Sequence, residues 1–132
     1  MIMEVLDKIV DAIEAAGIAS GIVYGSEPPE GGICISPGPG APEDVHLDKG
    51  MVYRLPVVCN NKQTTLSAMM YALDRIHRYL TTKTDYSDMG TEYWQIVDIE
   101  TTASPSLIGR EQDKYWIAGS SFEVRFYVLT TY

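Results

Sequence analysis

The sequence predicts an α+β fold with a single antiparallel or mixed β-sheet and two helices packed on one face, in the order α-β-β-β-α-β-β. Three observations carry this expectation. Two segments repeat apolar residues at helical spacing, and the C-terminal third alternates apolar and polar residues over two long runs. The connections also permit antiparallel neighbours, while the helices are too few for a doubly wound parallel sheet. No internal repeat, low-complexity tract or linker divides the 132 residues, so residues 1–132 are expected to form one domain.

The first helix follows from Ile2, Val5, Leu6, Ile9, Val10, Ile13 and Ala16 on one side and Glu4, Asp7, Lys8, Asp11 and Glu14 on the other. Gly17 supplies its stop. Short strands are expected over Gly21 to Tyr24 and Gly32 to Ser36, separated by SEPPEGG and read most simply as a hairpin. Pro37 to Gly50, with three prolines and three glycines, has no periodicity and little to bury, and reads as an exposed loop. In the strand Met51 to Asn60, Tyr53, Leu55, Val57 and Cys59 share one face and Val52, Arg54, Pro56 and Val58 the other. Pro56 argues for an edge position or a bulge.

The second helix, Thr65 to Thr81, shows one stripe of Leu66, Met69, Met70, Leu73, Ile76, His77 and Leu80, with Thr64 as its expected N-cap. Two long antiparallel strands then follow. In the first, Tyr93, Gln95, Val97 and Ile99 oppose Trp94, Ile96, Asp98 and Glu100. In the second, Phe122, Val124, Phe126 and Val128 oppose Glu123, Arg125, Tyr127 and Leu129.

Eighteen acids against ten bases give a net charge of −8, which opposes both nucleic-acid phosphate and anionic headgroups. Neither direct sequence-specific nucleic-acid binding nor membrane binding is expected. The opening MIMEVLDKIV has acids among its apolar residues, so neither signal peptide nor membrane span is read there, and synthesis in the cytoplasm is the expectation. Cys34 and Cys59 sit in apolar runs and read first as inert core thiols, then as a disulfide, and last as catalytic groups. Cys34, His46, Cys59 and His77 show no zinc-ligand spacing, so no metal is expected. His77 reads as a core or boundary histidine, and His46 as a solvated loop residue.

The stretch PGPG lacks the lysine and hydroxyl of a phosphate loop and is followed by Ala41, Pro42, Glu43 and Asp44, whose acids repel phosphate. No G-x-S-x-G elbow occurs, and Ser120 and Ser121 have no nearby histidine in sequence. Asp98 and Glu100 fall on one strand face about 7 Å apart, a spacing compatible with paired acid/base carboxylates. Pairing with Arg54 or Arg125 is the plainer expectation. No catalytic residue and no cofactor are assigned.

If Val97, Ile99, Phe122, Val124, Phe126 and Val128 point to the core, then Trp94, Ile96, Tyr127 and Leu129 point outward with Asp98 and Glu100. Such a mixed aromatic and charged face suits an interface. The competing reading is that the Pro37 to Gly50 loop covers it. Thr101 to Asp113 joins the two long strands and carries Leu107 and Ile108 at its centre, with Arg110 beyond. It is either an arm that orders against a neighbour or a longer strand pair with a polar turn at Arg110 to Asp113.

The order of elements and the segment PSLIGREQDKYWIAGSSFEVRFYVL together resemble the small minor capsid or tail-completion proteins of tailed phages, similar to siphophage tail terminators. The most specific part is Thr101 to Phe126, where Pro105, Leu107, Ile108 and Gly109 precede acids and Tyr115, followed by Ser121, Phe122, Val124 and Tyr127. The resemblance implies a ring, of six copies in such proteins, that caps the head-proximal end of the tail tube, stops its polymerisation and joins tail to head. Its implied partners are copies of itself, the tail-tube protein and a head-completion or stopper protein, within the tail or neck of a virion. The proline- and glycine-rich loop departs from that pattern. A head-completion or stopper protein is the alternative from the same virion. A small-molecule binding module or enzyme using Asp98, Glu100 and Trp94 is the alternative from another class.

Overall fold

The computed structural model describes residues 1–43 and 47–129, so the expectation for His46 lies outside the described residues. Its elements are α1 (Ile2–Ala15), β1 (Val23–Tyr24), β2 (Ile33–Pro37), β3 (Val52–Gln63), α2 (Leu66–Thr81), β4 (Trp94–Glu111) and β5 (Tyr115–Val128). They build one mixed five-stranded sheet in the order β1-β2-β3-β5-β4, as the sequence predicts in class and element order. No described helix is long and apolar enough to cross a membrane.

Helix α1 buries Val5, Leu6, Ile9, Val10 and Ile13, the residues its periodicity selects. It ends where Gly17, at φ 72, donates to the Glu14 carbonyl and Ile18 donates to the Ile13 carbonyl. That pair of bonds satisfies the last-turn carbonyls and needs a residue that tolerates left-handed backbone. Helix α2 buries Met69, Leu73, Ile76, His77 and Leu80, while Leu66, on the expected stripe, lies exposed at its first turn. Its N-cap is Thr65 rather than Thr64, and no side chain caps it. Burial of the apolar stripe therefore holds this helix more than its cap does.

Strands β1 and β2 pair in parallel, Val23 with Cys34 and Tyr24 with Ile35, which corrects the expected hairpin. The connecting segment reverses twice. After β1 the chain doubles back, and a turn closed by Gly32 N–H to Pro29 C=O, with Gly31 at φ 69, then redirects it along its first course. Strand β3 pairs with both β2 and β5, so Pro56 lies in an interior strand. It is tolerated because β2 ends at Pro37, opposite Val57, and the Pro56 carbonyl accepts from Gly38 beyond that end. The missing N–H faces the same side, where no ladder bond is lost.

The β4–β5 pairing overturns one part of the sequence reading. Trp94 faces Val128 and Ile96 faces Phe126, but the next pairs are Asp98 with Arg125 and Ile99 with Val124. Val97 is thus an extra residue on β4, and the inward positions switch from even to odd numbers across it. Trp94 is 0% and Ile96 2% exposed, while Val97 is 48% exposed, so the expected sides of these three residues are reversed. Ile99, Phe122, Val124, Phe126 and Val128 are buried as expected.

The two helices and the inner sheet face enclose one core. Leu47 joins it, so the Pro37 to Gly50 segment buries more than its composition suggests. The Tyr53 hydroxyl accepts from Asp48 N–H at 2.5 Å and ties that segment down on the same side. Tyr86 and Met89, from the connection after α2, close the core beside Leu80 and Ile96. The Tyr86 hydroxyl bonds the Leu80 carbonyl, and Ile96 N–H bonds that of Met89.

Candidate interaction surface: the open sheet face and the β4 edge

Cross-strand partners share a sheet face, so the register identifies what lies opposite the helices. Arg54, Pro56 and Val58 on β3 stand beside Arg125, Glu123 and Ser121 on β5, which in turn stand beside Asp98, Glu100 and Ala103 on β4. Arg125 forms a two-pronged pair with Asp98, with Nε to Oδ1 at 2.6 Å, and Arg54 lies 3.8 Å from Glu123. The like-charged Arg54 and Arg125 are therefore each flanked by an acid. Glu100 stands opposite Glu123 and is exposed.

These contacts decide against the cleft that would make Asp98 and Glu100 a working pair. Asp98 is committed to Arg125, and Trp94, the third member of that idea, lies on the helix side of the sheet, its indole N–H 3.4 Å from Glu4. Around the charges lie exposed Val52, Val97, Tyr127 and Leu129. Tyr127 and Leu129 take the outward places expected of them. Val97 and Val52 join them in place of Trp94 and Ile96.

Thr101 to Asp113 is no loose arm. β4 and β5 continue to Glu111 and Tyr115, and the chain turns at Gln112 and Asp113, whose φ values are 51 and 54, with Lys114 N–H bonded to the Glu111 carbonyl at 3.0 Å. Two successive left-handed residues match the twist of the flanking strands. Arg110 braces the turn, donating to the Asp113 carbonyl at 2.9 Å and stacking 4.6 Å from the Trp116 ring. The outer half of β4 has no strand beyond it in the sheet order and is broken by register shifts at Thr101/Ala103, Ala103/Ser106 and Leu107/Gly109. Bulges, Pro105 and a charged end are the devices that keep an open edge from indiscriminate pairing.

The shift at Leu107/Gly109 makes Ile108 the extra residue and leaves it 62% exposed, with Leu107 at 49%. Ile108 leans over Gly119, where a Cβ would come within 2.7 Å of both Ile108 Cδ1 and Asn60 Oδ1. Gly119 is thus the seat that lets Ile108 and Asn60 meet across the sheet. Beside it runs an open groove of about 310 Å³ lined by Val58, Asn60, Ala103, Ser106, Ile108 and Gly119. Ser26 accepts from Asn60 Nδ2 at 3.3 Å, so the connection from β1 to β2 borders this face.

Cys34, Cys59 and His77 are buried. Cys34 pairs in register with Asn60 and Cys59 with Ile35, so the thiols point to opposite sheet faces and no disulfide joins them. Burial pushes Cys59 up to about 12 and raises Cys34 as well, which leaves both as thiols at neutral pH. Among the described residues, no group of three or more His, Cys, Asp or Glu could hold a metal ion.

His77 lies between α2 and the sheet, its Nδ1 2.8 Å from Thr101 Oγ1 and its ring edge-on to Phe122 at 5.5 Å, while Nε2 is buried without a partner. Burial lowers its pKa from 6.5, with Asp74 opposing. A depressed histidine pKa means that the unfolded chain binds the proton more readily. Stability is therefore full above pH 6.5 and falls as the pH drops below it. The urea midpoint is expected to fall between about pH 7.5 and 5.5, above the range where ordinary carboxylates titrate, and His77→Leu is expected to flatten that slope.

No family model matches the chain, and no curated protein matches it. Among solved structures, the chain is similar to one from the virion of a native gene transfer agent (GTA) particle, with a TM-score of 0.57 and 17% sequence identity over 92% of this chain and 90% of that one. At that identity the likeness establishes a shared fold, and it runs through both helices and the sheet rather than through a fragment.

Proposed function

We propose that this chain is a structural virion protein that assembles into a ring, of six copies, on the head-proximal end of a phage-type tail tube, ends the growth of that tube and joins it to the head. The observation that carries the reading is the nearly end-to-end fold likeness to a chain of a gene transfer agent virion. The terminator-like segment Thr101 to Phe126 supports the finer assignment. So does the surface it builds: an ordered but irregular open edge with apolar residues presented on it.

In this reading Asp98, Glu100, Leu107, Ile108, Arg110 and Tyr127 lie at contacts with the tube or a neighbouring subunit. Trp94 and Ile96 act only by shaping the sheet that presents them. The acidic balance suits a ring whose opening passes DNA, because walls of that charge do not hold phosphate. The test is polymerisation of a cognate tail-tube protein, followed by electron microscopy with and without this chain. Tubes stopped in growth and capped at one end are expected. Tubes that grow equally long and carry no cap would refute the terminator role.

A further inference from the structure

The outward faces of the two helices differ in charge: α1 presents acids, and α2 presents two arginines beside Tyr71. On α1, Asp7, Asp11 and Glu14 are exposed at i, i+4 and i+7, one stripe along the helix. Lys8 is a base beside them, in the groove where Glu4, Asp7 and Asp11 face Thr91 and Trp94. The Tyr24 hydroxyl bonds Asp7, and its pKa is raised by burial first and then by Asp7, Asp11 and Glu14, as a field of negative charge requires.

On α2, Tyr71, Arg75 and Arg78 repeat the i, i+4, i+7 spacing. Arg75 stacks 5.5 Å from the Tyr71 ring and has no carboxylate within ion-pair distance among the described residues. Arg78 meets Asp74 at 2.9 Å on the exposed face. Tyr71 itself is 64% exposed, and with Tyr79, Ala16 and Ile18 these residues line an open groove of about 440 Å³. The acidic and basic grooves share no residue.

We propose that the α2 face of Tyr71, Arg75 and Arg78 receives the α1 face of Asp7, Asp11 and Glu14 from a second copy of this chain, and that this contact is the joint between ring subunits. The inference rests on the ring reading and deepens it. Unlike patches on one subunit make a heterologous, head-to-tail contact, the kind that closes rings. Two arginines on one face meet acids on the other at matching helical spacing, and Tyr71 supplies a broad aromatic anchor at one end. A nucleic acid is the poorer occupant, since two arginines alone neutralise few phosphates. The joint leaves the open sheet face and the β4 edge free to meet the tube.

Charge exchange tests it. Light scattering would follow the wild type, Arg75→Glu with Arg78→Glu, Asp11→Lys with Glu14→Lys, an equimolar mixture of the two variants, and a chain carrying all four changes. Where the wild type forms rings, each double variant is expected to be monomeric, with association weakened at least about 100-fold. The mixture and the fourfold chain are expected to form rings again. Raising salt from about 0.1 to 1 M, which shortens the screening length from about 10 to 3 Å, should weaken every assembly. Rings from either double variant alone, or no rescue in both the mixture and the fourfold chain, would overturn this joint while leaving the ring reading intact. A wild type that never assembles, alone or on tubes, would overturn both.

Discussion

Replacing Trp94 by alanine is expected to destabilise the fold by about 3–5 kcal/mol, the cost of emptying a large aromatic site in a packed core. Trp94 is fully buried, stands across from Val128 on the inner sheet face and places its indole N–H beside Glu4 of α1. The loss joins strand, strand and helix at one point, and a domain of this size has only about 5–15 kcal/mol in total. Urea unfolding at neutral pH reads it directly. Val97→Asn, three residues on, is expected to stay within about 0.5 kcal/mol, because Val97 is the outward residue of the bulge. The opposite ranking, a tolerant Trp94 and a sensitive Val97, would mean that β4 runs without its bulge.

The second large effect is on assembly and not on stability. Changing Leu107 and Ile108 together to glutamate is expected to move the urea midpoint little, by about 1 kcal/mol or less, since both side chains stand largely in solvent on an edge strand. Capture of the protein by assembled tail tubes is expected to drop by at least about 30-fold, the size of effect that follows from putting charge into the apolar centre of a contact. Co-sedimentation with tubes measures it. Unchanged capture would remove the β4 edge from the contact and point to the charged patch around Arg125 and Asp98.

Much of the fold is legible in the residues because the strongest periodicities belong to elements with one buried face. Val5, Leu6, Ile9 and Ile13 define α1, Met69, Leu73, Ile76 and Leu80 define α2, and Leu55, Val57 and Cys59 give the inner side of β3. The bulge at Val97 is harder to read, because a single inserted residue leaves both halves of the strand alternating normally. The only trace is a conflict of parity: Trp94 and Ile96 are large and even-numbered, Ile99 is large and odd. Taking either parity throughout must expose a residue that the core needs.

The parallel β1–β2 pair is hidden for another reason. SEPPEGG holds turn residues enough for one reversal or two, and turn chemistry alone does not count them. Leu47 shows a similar gap, as a lone apolar residue amid prolines and glycines carries no period, yet it fills a place in the core. In the candidate surface, the outward positions of Asp98, Glu100 and Tyr127 are readable from alternation, whereas Leu107 and Ile108 are legible only as an apolar pair within the connection. The seat of Ile108 on Gly119 depends on a strand register that only the folded sheet defines.

The measurement that bears most directly on the ring is the native mass by light scattering over a range of concentration, with and without the tail-tube protein. A mass of six subunits, or a monomer that becomes a six-subunit ring when tubes are added, is the predicted result. A monomer at every concentration that ignores tubes would contradict it.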